Sequence, residues 1–322
     1  MTDKTTIIIP NFNGIKYLKP CLASLQLPGN EARIIVVDNG STDGSVPFLR
    51  EHYPEITCIC FPENKGFCEA VNTGIQASVT PYVLLLNNDT EVRQDFVAHL
   101  EERMERQPKA FSVASRMLVM QRPELLDGAG DLYCALGWAF SRYKGKVRER
   151  ADKACKVFSA SGGASLYRRS VMEQIGLFDT NHFAYLEDLD MGYRALIYGY
   201  ENWYEPKAQV LHAGSGYSGS RYNAFKATLS SRNSIYVVYK NMPLLQIVLN
   251  LPFLIAGFVI KMIFFAQKGF ATIYIKGLLR GMQSAFRTET KVHKVPFSIT
   301  HVDNYCKIQW MLWINTVKRL FC

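Results

Sequence analysis

The sequence has no C-x-x-C pair among its eight cysteines, so no zinc-site spacing is present. It lacks a glycine-rich, basic loop after its first apolar run. Pro10–Gly14 reads Pro-Asn-Phe-Asn-Gly, without the Arg or Lys of a sugar-phosphate nucleotidyltransferase and without the G-x-G-x-x-G of a dinucleotide-dependent oxidoreductase. There is no internal repeat and no low-complexity stretch, and 48% hydrophobic residues exclude bulk disorder. The first four residues are polar, and Thr5–Pro10 is too short for the apolar segment of a secretory leader. Together with unpatterned cysteines this predicts a reducing, cytoplasmic setting. Acid is scarce at one end only. Residues 226–322 hold 13 Lys and Arg against Glu289 and Asp303, whereas residues 1–225 hold 24 against 26 Asp and Glu. A near-neutral globular part followed by a basic, apolar end predicts contact with an anionic membrane surface. Nucleic acid would suit the basic end but leaves the carboxylates of the first part unexplained, so no nucleic-acid partner is expected.

What is present alternates. Thr6–Ile9, Arg33–Val37, Ile56–Phe61 and Tyr82–Leu86 read as short buried strands. Between them, Leu18, Cys21, Leu22 and Leu25, then Ser45–His52, then Gly66–Ala77 read as helices. Such alternation predicts an α/β fold with a mostly parallel sheet flanked by helices, whose ligands bind beyond the carboxyl ends of the strands. Three of these ends are polar: Asn11 and Asn13, then Asp38 and Asn39, then Asn87, Asn88 and Asp89. Phe96–Arg106 reads as a charged amphipathic helix, and a further helix runs from Glu187 through Tyr198. Residues 110–165 carry no clear period.

Three groups could do chemistry. Asp89 follows a buried apolar run and would be a carboxylate at the sheet edge, fit for a hard divalent cation; capping of a following helix is the plain alternative. Glu187, Asp188 and Asp190 open a helix, where anions are favoured by the dipole. Three carboxylates beside an apolar wall also repel, which raises the pKa of one and makes it useful as a base. His212 ends an apolar run before Ala213-Gly214-Ser215-Gly216, a place for a structural histidine or a ligand, with glycines that would let phosphates approach.

Seven blocks stand in order: residues 7–14 (IIIPNFNG), 36–45 (VVDNGSTDGS), 64–74 (NKGFCEAVNTG), 84–90 (LLLNNDT), 161–169 (SGGASLYRR), 187–194 (EDLDMGYR) and 212–216 (HAGSG). In this the sequence resembles family 2 glycosyltransferases, inverting enzymes of the GT-A (Rossmann-like) fold, and within them the rhamnosyltransferase-like members that build bacterial surface polysaccharides. The resemblance spans roughly residues 5–240. It implies a nucleotide-diphosphate sugar donor, UDP- or dTDP-linked, a divalent cation (Mg or Mn), and a glycan or polyprenyl-linked acceptor. Pro10, Phe12 and Asp38 correspond to residues that hold the nucleoside, with Phe12 standing where Tyr is frequent. Asn13, Asn39 and Asp43 fall in the loops beneath the base, and Asn64 and Lys65 where a residue reaches the nucleotide. Asn72 and Gly163 belong to matching blocks and are carried over as donor-side residues. Asn88 and Asp89 occupy the D-x-D position, where only Asp89 offers a charge. Asp188 matches the catalytic base, with Glu187 and Asp190 in support. His212 matches a metal-ligating histidine, and Arg194 fits a structural or pyrophosphate-side role. A membrane-associated sugar-binding or scaffold protein with a decayed site is the non-enzymatic alternative.

The end of the chain is assigned separately, as a basic, apolar helical region over residues 241–322, after a catalytic domain over 1–240. Leu244–Phe265 is apolar over 22 residues but interrupted by Gln246, Asn250, Pro252 and Lys261. With the basic amphipathic run Ile273–Phe286, it predicts interfacial or hairpin insertion, ahead of a true span or a buried core helix. The expected location is the cytoplasmic face of the plasma membrane.

Overall fold

The computed structural model describes residues 4–214 and 223–321. Ser215 and Gly216, assigned above to a phosphate-approaching loop, lie outside the described residues.

The first half folds as the alternation predicts. Strand β1 (Thr5–Asn11) leads to α1 (Ile15–Ser24), β2 (Arg33–Asp38), α2 (Ser45–His52), β3 (Thr57–Cys60), α3 (Phe67–Ala77) and β4 (Tyr82–Leu86). These four strands pair in parallel in the order β3-β2-β1-β4. Ile7, Ile8 and Ile9 of β1 and Val83–Leu86 of β4 are fully buried, because helices cover both faces of the sheet.

The stretch without a clear period is a set of mostly short strands. After β5 (Thr90–Val92) and α4 (Phe96–Arg106) come β6 (Ala110–Val119), β7 (Arg122–Gly128), β8 (Asp131–Tyr133), β9 (Ala139–Ser141), β10 (Cys155–Val157) and β11 (Ala164–Arg168). Helix α5 (Arg169–Ile175), α6 (Glu187–Ile197) and β12 (Glu201–His212) complete the sheet. Its order is β10-β12-β6-β11-β4-β1-β2-β3, with β5 on β12 and β7 on β6. Strand β11 is antiparallel to both β4 and β6, so β6 and its parallel partner β12 point the same way as β1–β4. The carboxyl ends of β1, β2, β4, β6 and β12 therefore share one edge. Strands β8 and β9 form a separate hairpin.

The remainder is helical: α7 (Ala224–Asn241), α8 (Leu244–Gln267), α9 (Ala271–Phe286), α10 (Thr288–Lys291) and α11 (Val302–Phe321). One apolar cluster joins these helices to the sheet region, with Tyr133, Phe158, Leu189 and Tyr193 packed with Val237, Leu254, Ile308 and Leu312. Residues on both sides of position 240 thus share a core.

Candidate active site

At the shared edge three strand ends are tied in series. Asn88, after β4, donates to Asn11 Oδ1 of β1 at 2.7 Å, and Asn11 donates to Asp38 Oδ1 of β2 at 2.8 Å. The second oxygen of Asp38 accepts the backbone N–H of Ser41 at 2.8 Å. The ladder sets this up, since Asn11 and Asp38 are register partners. Asn39 clamps the next loop, donating to the Gly66 carbonyl and accepting from Lys65 N–H. Phe12 is half-buried and Asn13 exposed beside this chain, and Pro10 holds the end of β1 against Val37. Asn64 accepts from Gly66 N–H, and exposed Lys65 lies over the Phe61 ring.

Several residues expected near the nucleotide have other duties. Asp43 accepts the N–H of Ile15 at 2.8 Å and both groups of Ser45, so it joins the starts of α1 and α2. Asn72 makes a two-bond clamp with the backbone of Phe178, donating to its carbonyl at 2.7 Å and accepting its N–H at 3.0 Å. That pins α3 to the segment before α6. Arg194 is 4% exposed and holds Asp190 with two bonds while donating to the carbonyls of Ile175, Gly176 and Leu177. Every strong donor it has is satisfied internally, which corrects the pyrophosphate-side expectation and leaves the structural one. Asp190 itself is fully buried, bonded also to Lys240 at 2.9 Å and Asn241 at 2.9 Å. These bonds tie α6 to α7 and fit the supporting place expected for Asp190 beside Asp188.

Asp89 and His212 meet because β5 pairs with β12, setting His212 opposite Thr90. His212 Nε2 is 3.4 Å from Asp89 Oδ1, and its Nδ1 is 2.7 Å from Asp127 Oδ2. Lys144 reaches the other oxygen of Asp127 at 2.6 Å. Burial would lower the histidine pKa, but the bonds to Asp127 and Asp89 outweigh it and push it up to about 9. Asp127 is held well below the usual carboxylate range: the His212 bond and Lys144 overcome its burial. A carboxylate on Nδ1 leaves Nε2 facing Asp89, the arrangement that orients a metal-binding imidazole. One carboxylate oxygen and one imidazole nitrogen suit Mn²⁺ or a similar ion. Among the described residues no group of three or more His, Cys, Asp or Glu could enclose a metal, so the remaining ligands would come from phosphates and water.

Asp188 is held beside the start of β11, the strand between β4 and β6. Helix α6 can approach the 158–162 segment because residue 192 is glycine: a Cβ there would stand 2.8 Å from Ser159 Cα. Asp188 accepts the N–H of Gly162, just before β11, at 3.3 Å and that of Leu189 at 2.7 Å. Gly163 carries the carbonyl that receives Asn87 N–H, so the segment bonded to Asp188 and the end of β4 are joined. Burial raises the Asp188 pKa, with the two amides pulling it back. Glu187 is pushed well above its ordinary value by burial and then by Asp188, and its Oε2 has no partner. The backbone entering α6 is strained: Phe183, Tyr185 and Leu186 all have positive φ (62°, 70° and 66°). Asn233 of α7 holds this turn, reaching the carbonyls of His182, Ala184 and Tyr185 within 3.0 Å.

Two carboxylates escaped the sequence reading. Asp127 and Asp131 lie in Asp-Gly-Ala-Gly-Asp, residues 127–131. Asp131 is pushed up to about 7 by burial and by the charge of Asp188, and its backbone is bonded to Phe158 and Ser159, just before the Gly162 amide that holds Asp188. Acid residues set between glycines were the available signal.

A family model, Glycosyl transferase family 2, matches residues 6–176. The chain belongs to this family. It is a glycosyltransferase with a GT-A fold. The N-acetylglucosaminyl-diphospho-decaprenol L-rhamnosyltransferase of Mycobacterium tuberculosis is 28% identical over 237 residues, covering 66% of this chain and 76% of the relative. The poly-beta-1,6-N-acetyl-D-glucosamine synthase of Staphylococcus epidermidis is 22% identical, and the match covers 63% of this chain but only 48% of the synthase. The fold is shared with GalNAc-T7 solved with UDP, GalNAc and Mn²⁺ (TM-score 0.60, 16% identity, 74% of this chain and 48% of that one). It is shared also with residues 1–349 of S. aureus TarS (TM-score 0.56, 14% identity, 90% and 82%).

Proposed function

We propose that this glycosyltransferase moves a sugar, with inversion, from a nucleoside-diphosphate donor to a hydroxyl of a lipid-linked or glycan acceptor during surface polysaccharide synthesis at the cytoplasmic face of the membrane. The observation that carries the reading is the shared sheet edge. The Asn88–Asn11–Asp38 chain and the Asp89–His212 pair arrive there from separate segments, and Asp188 is tied to the same edge through Gly162, beside the Gly163 carbonyl that binds Asn87 N–H. A nucleoside fits over Pro10 and Phe12, with Asp38 and Asn39 below it.

Asp188 is the base in this reading. Its raised pKa makes it a stronger proton acceptor than an exposed carboxylate, and the Gly162 amide fixes its direction. The acceptor O–H proton passes to Asp188, the oxygen forms a bond to the anomeric carbon, and the bond from that carbon to the diphosphate oxygen breaks. The nucleoside diphosphate leaves with the electron pair. A divalent cation held by Asp89 and His212 would offset the charge developing on that diphosphate. Asp127 keeps the imidazole oriented. The lipid-linked acceptor is supported by the mycobacterial relative, an N-acetylglucosaminyl-diphospho-decaprenol L-rhamnosyltransferase. Attachment through residues 241–322 is supported by their basic, apolar character.

Asp188→Asn tests the assignment. Transfer to acceptor should fall by at least about 10²-fold, while binding of the nucleotide sugar persists in calorimetry. Near-normal turnover in this variant sinks it. A panel of nucleotide sugars, hydrolysed with and without Mn²⁺ or Mg²⁺, identifies the donor.

A further inference from the structure

Helix α8 is built inside out. Among the described residues it is the one helix long and apolar enough to cross a membrane by length and composition. Yet its buried positions are Gln246, Asn250, Leu254 and Gly257, at spacings of four, four and three, which form one stripe. The stripe is largely polar or small, and it is bonded. Gln246 accepts from Tyr193 Oη of α6 at 2.7 Å. Asn250 and Gln309 of α11 exchange two bonds of 2.8 Å. Trp138 Nε1 donates to the Gly257 carbonyl at 3.0 Å, and a Cβ on Gly257 would stand 2.1 Å from the Leu136 carbonyl oxygen. The opposite face carries Leu245, Val248, Leu249, Ile255, Ile260 and Ile263, with Leu245 77% exposed. A helix meant for water would show the reverse pattern.

We infer that α8 lies flat in the headgroup–acyl boundary of one leaflet, and that the β8–β9 hairpin couples this docked helix to the acceptor side of the cleft. This rests on the membrane attachment proposed above and adds its geometry. The stripe follows the catalytic part over twelve residues, about 16 Å of helix from Gln246 to Gly257. A perpendicular crossing of a hydrocarbon core of roughly 30 Å would drag α6 and the hairpin into lipid with it. Tyr193 stands next to Arg194, inside the Asp190–Lys240 ion-pair network, which has no place there. Lying flat keeps those charges in the protein and buries only the apolar face. The neighbouring helices agree. Phe265 stacks on Tyr274 (centroids 4.9 Å) as α9 folds back, and α9 exposes Ile275, Leu279 and Met282 beside Lys276 and Arg280. Helix α11 exposes Trp310 and Trp313. Apolar groups interleaved with cations, with aromatic groups among them, suit an anionic lipid surface. The hairpin link is direct. Its turn holds Leu136 and Trp138 against α8, and α11 ties to the same segment through Thr316 Oγ1 to Ala135 N–H and Asn315 to the Tyr133 carbonyl. Its first strand begins at Asp131, whose backbone is bonded to Phe158 and Ser159, in the segment that leads to the Gly162 amide on Asp188.

An epitope with a protease site, inserted after Lys268 in the full chain, reads the topology. In sealed inside-out membrane vesicles it should be cleaved together with an N-terminal tag, and in spheroplasts both should be protected. Cleavage of the Lys268 tag from the opposite side overturns the flat placement while leaving attachment intact. Failure of the chain to sediment with membranes at all overturns the attachment reading and this one together. For the coupling, Gly257→Ala and Trp138→Phe should cut transfer to a lipid-linked acceptor at least fivefold, with acceptor-free donor hydrolysis and membrane sedimentation unchanged. Unaltered transfer in both variants refutes the role of the hairpin.

Discussion

Asp188 and Asp190 are two residues apart and live in opposite surroundings. Two steps along a helix turn a side chain by about 200°. Asp188 therefore looks into the cleft, held by backbone amides with no cation bonded to it, and its pKa rises. Asp190 looks backward into Arg194, Lys240 and Asn241, and despite full burial it is held far below the usual carboxylate range. Asp179 continues the rear network, with Lys240 at 2.7 Å and Tyr236 Oη at 2.7 Å. One face of α6 keeps a proton acceptor underpaired, and the other fixes the helix that presents it. Charge density in a sequence does not distinguish these duties; the helical face does.

The sharpest way to break this comparison is to neutralise each side. Asp190→Asn should cost about 3–5 kcal/mol of stability, because Arg194 and Lys240 lose a buried partner. Asp188→Asn should leave thermal stability unchanged or raise it, since it removes a carboxylate that burial disfavours. Equal melting temperatures for the two variants would erase the distinction.

Acid provides the next test. Asp190 and Asp179 have depressed folded-state values, so their contribution is fully present above the ordinary carboxylate value of about 3.9. It is lost as pH falls below that value. The gap in denaturant midpoint between the wild-type chain and Asp190→Asn should hold between pH 7 and about pH 5, then close as pH falls further. Smaller again is Asn233→Ala, which leaves strained carbonyls of the α6 entry unpaired; a loss of roughly 2 kcal/mol should appear in denaturant melts. The smallest effect expected is on the metal side. Asp127→Asn should weaken Mn²⁺ binding roughly 10–100-fold, read by calorimetry with nucleoside diphosphate present, with little change in fold.

Much of the polar sheet edge was legible because parallel strands buried on both faces appear as short apolar runs ending in Asn and Asp. The ends at Asn11, Asp38 and Asp89 follow from that rule. Asp43, Asn72 and Arg194 were legible as blocks but not as roles. Their partners, Ile15 N–H, Phe178 and the carbonyls of residues 175–177, come from other turns of chain that leave no mark in composition. Residues 110–165 were opaque for a different reason. Strands of three residues such as β8, β9 and β10 are too short to show a period. In α8 the polar residues read as interruptions of an apolar run, whereas they are the face that meets the protein.

Strand β11 runs against every strand beside it. The segment leading into it supplies the Gly162 amide that holds Asp188, so the base is steadied by chain arriving from the direction opposite to β1, β2 and β4. The donor half of the cleft and the acceptor half are accordingly separate pieces of construction that meet at one seam. Under the proposed function, changes in residues 132–143 would reshape the acceptor side while leaving Asp127, Lys144 and the strand registers of the donor side in place. A scaffold divided in this way can exchange acceptors while its donor remains fixed.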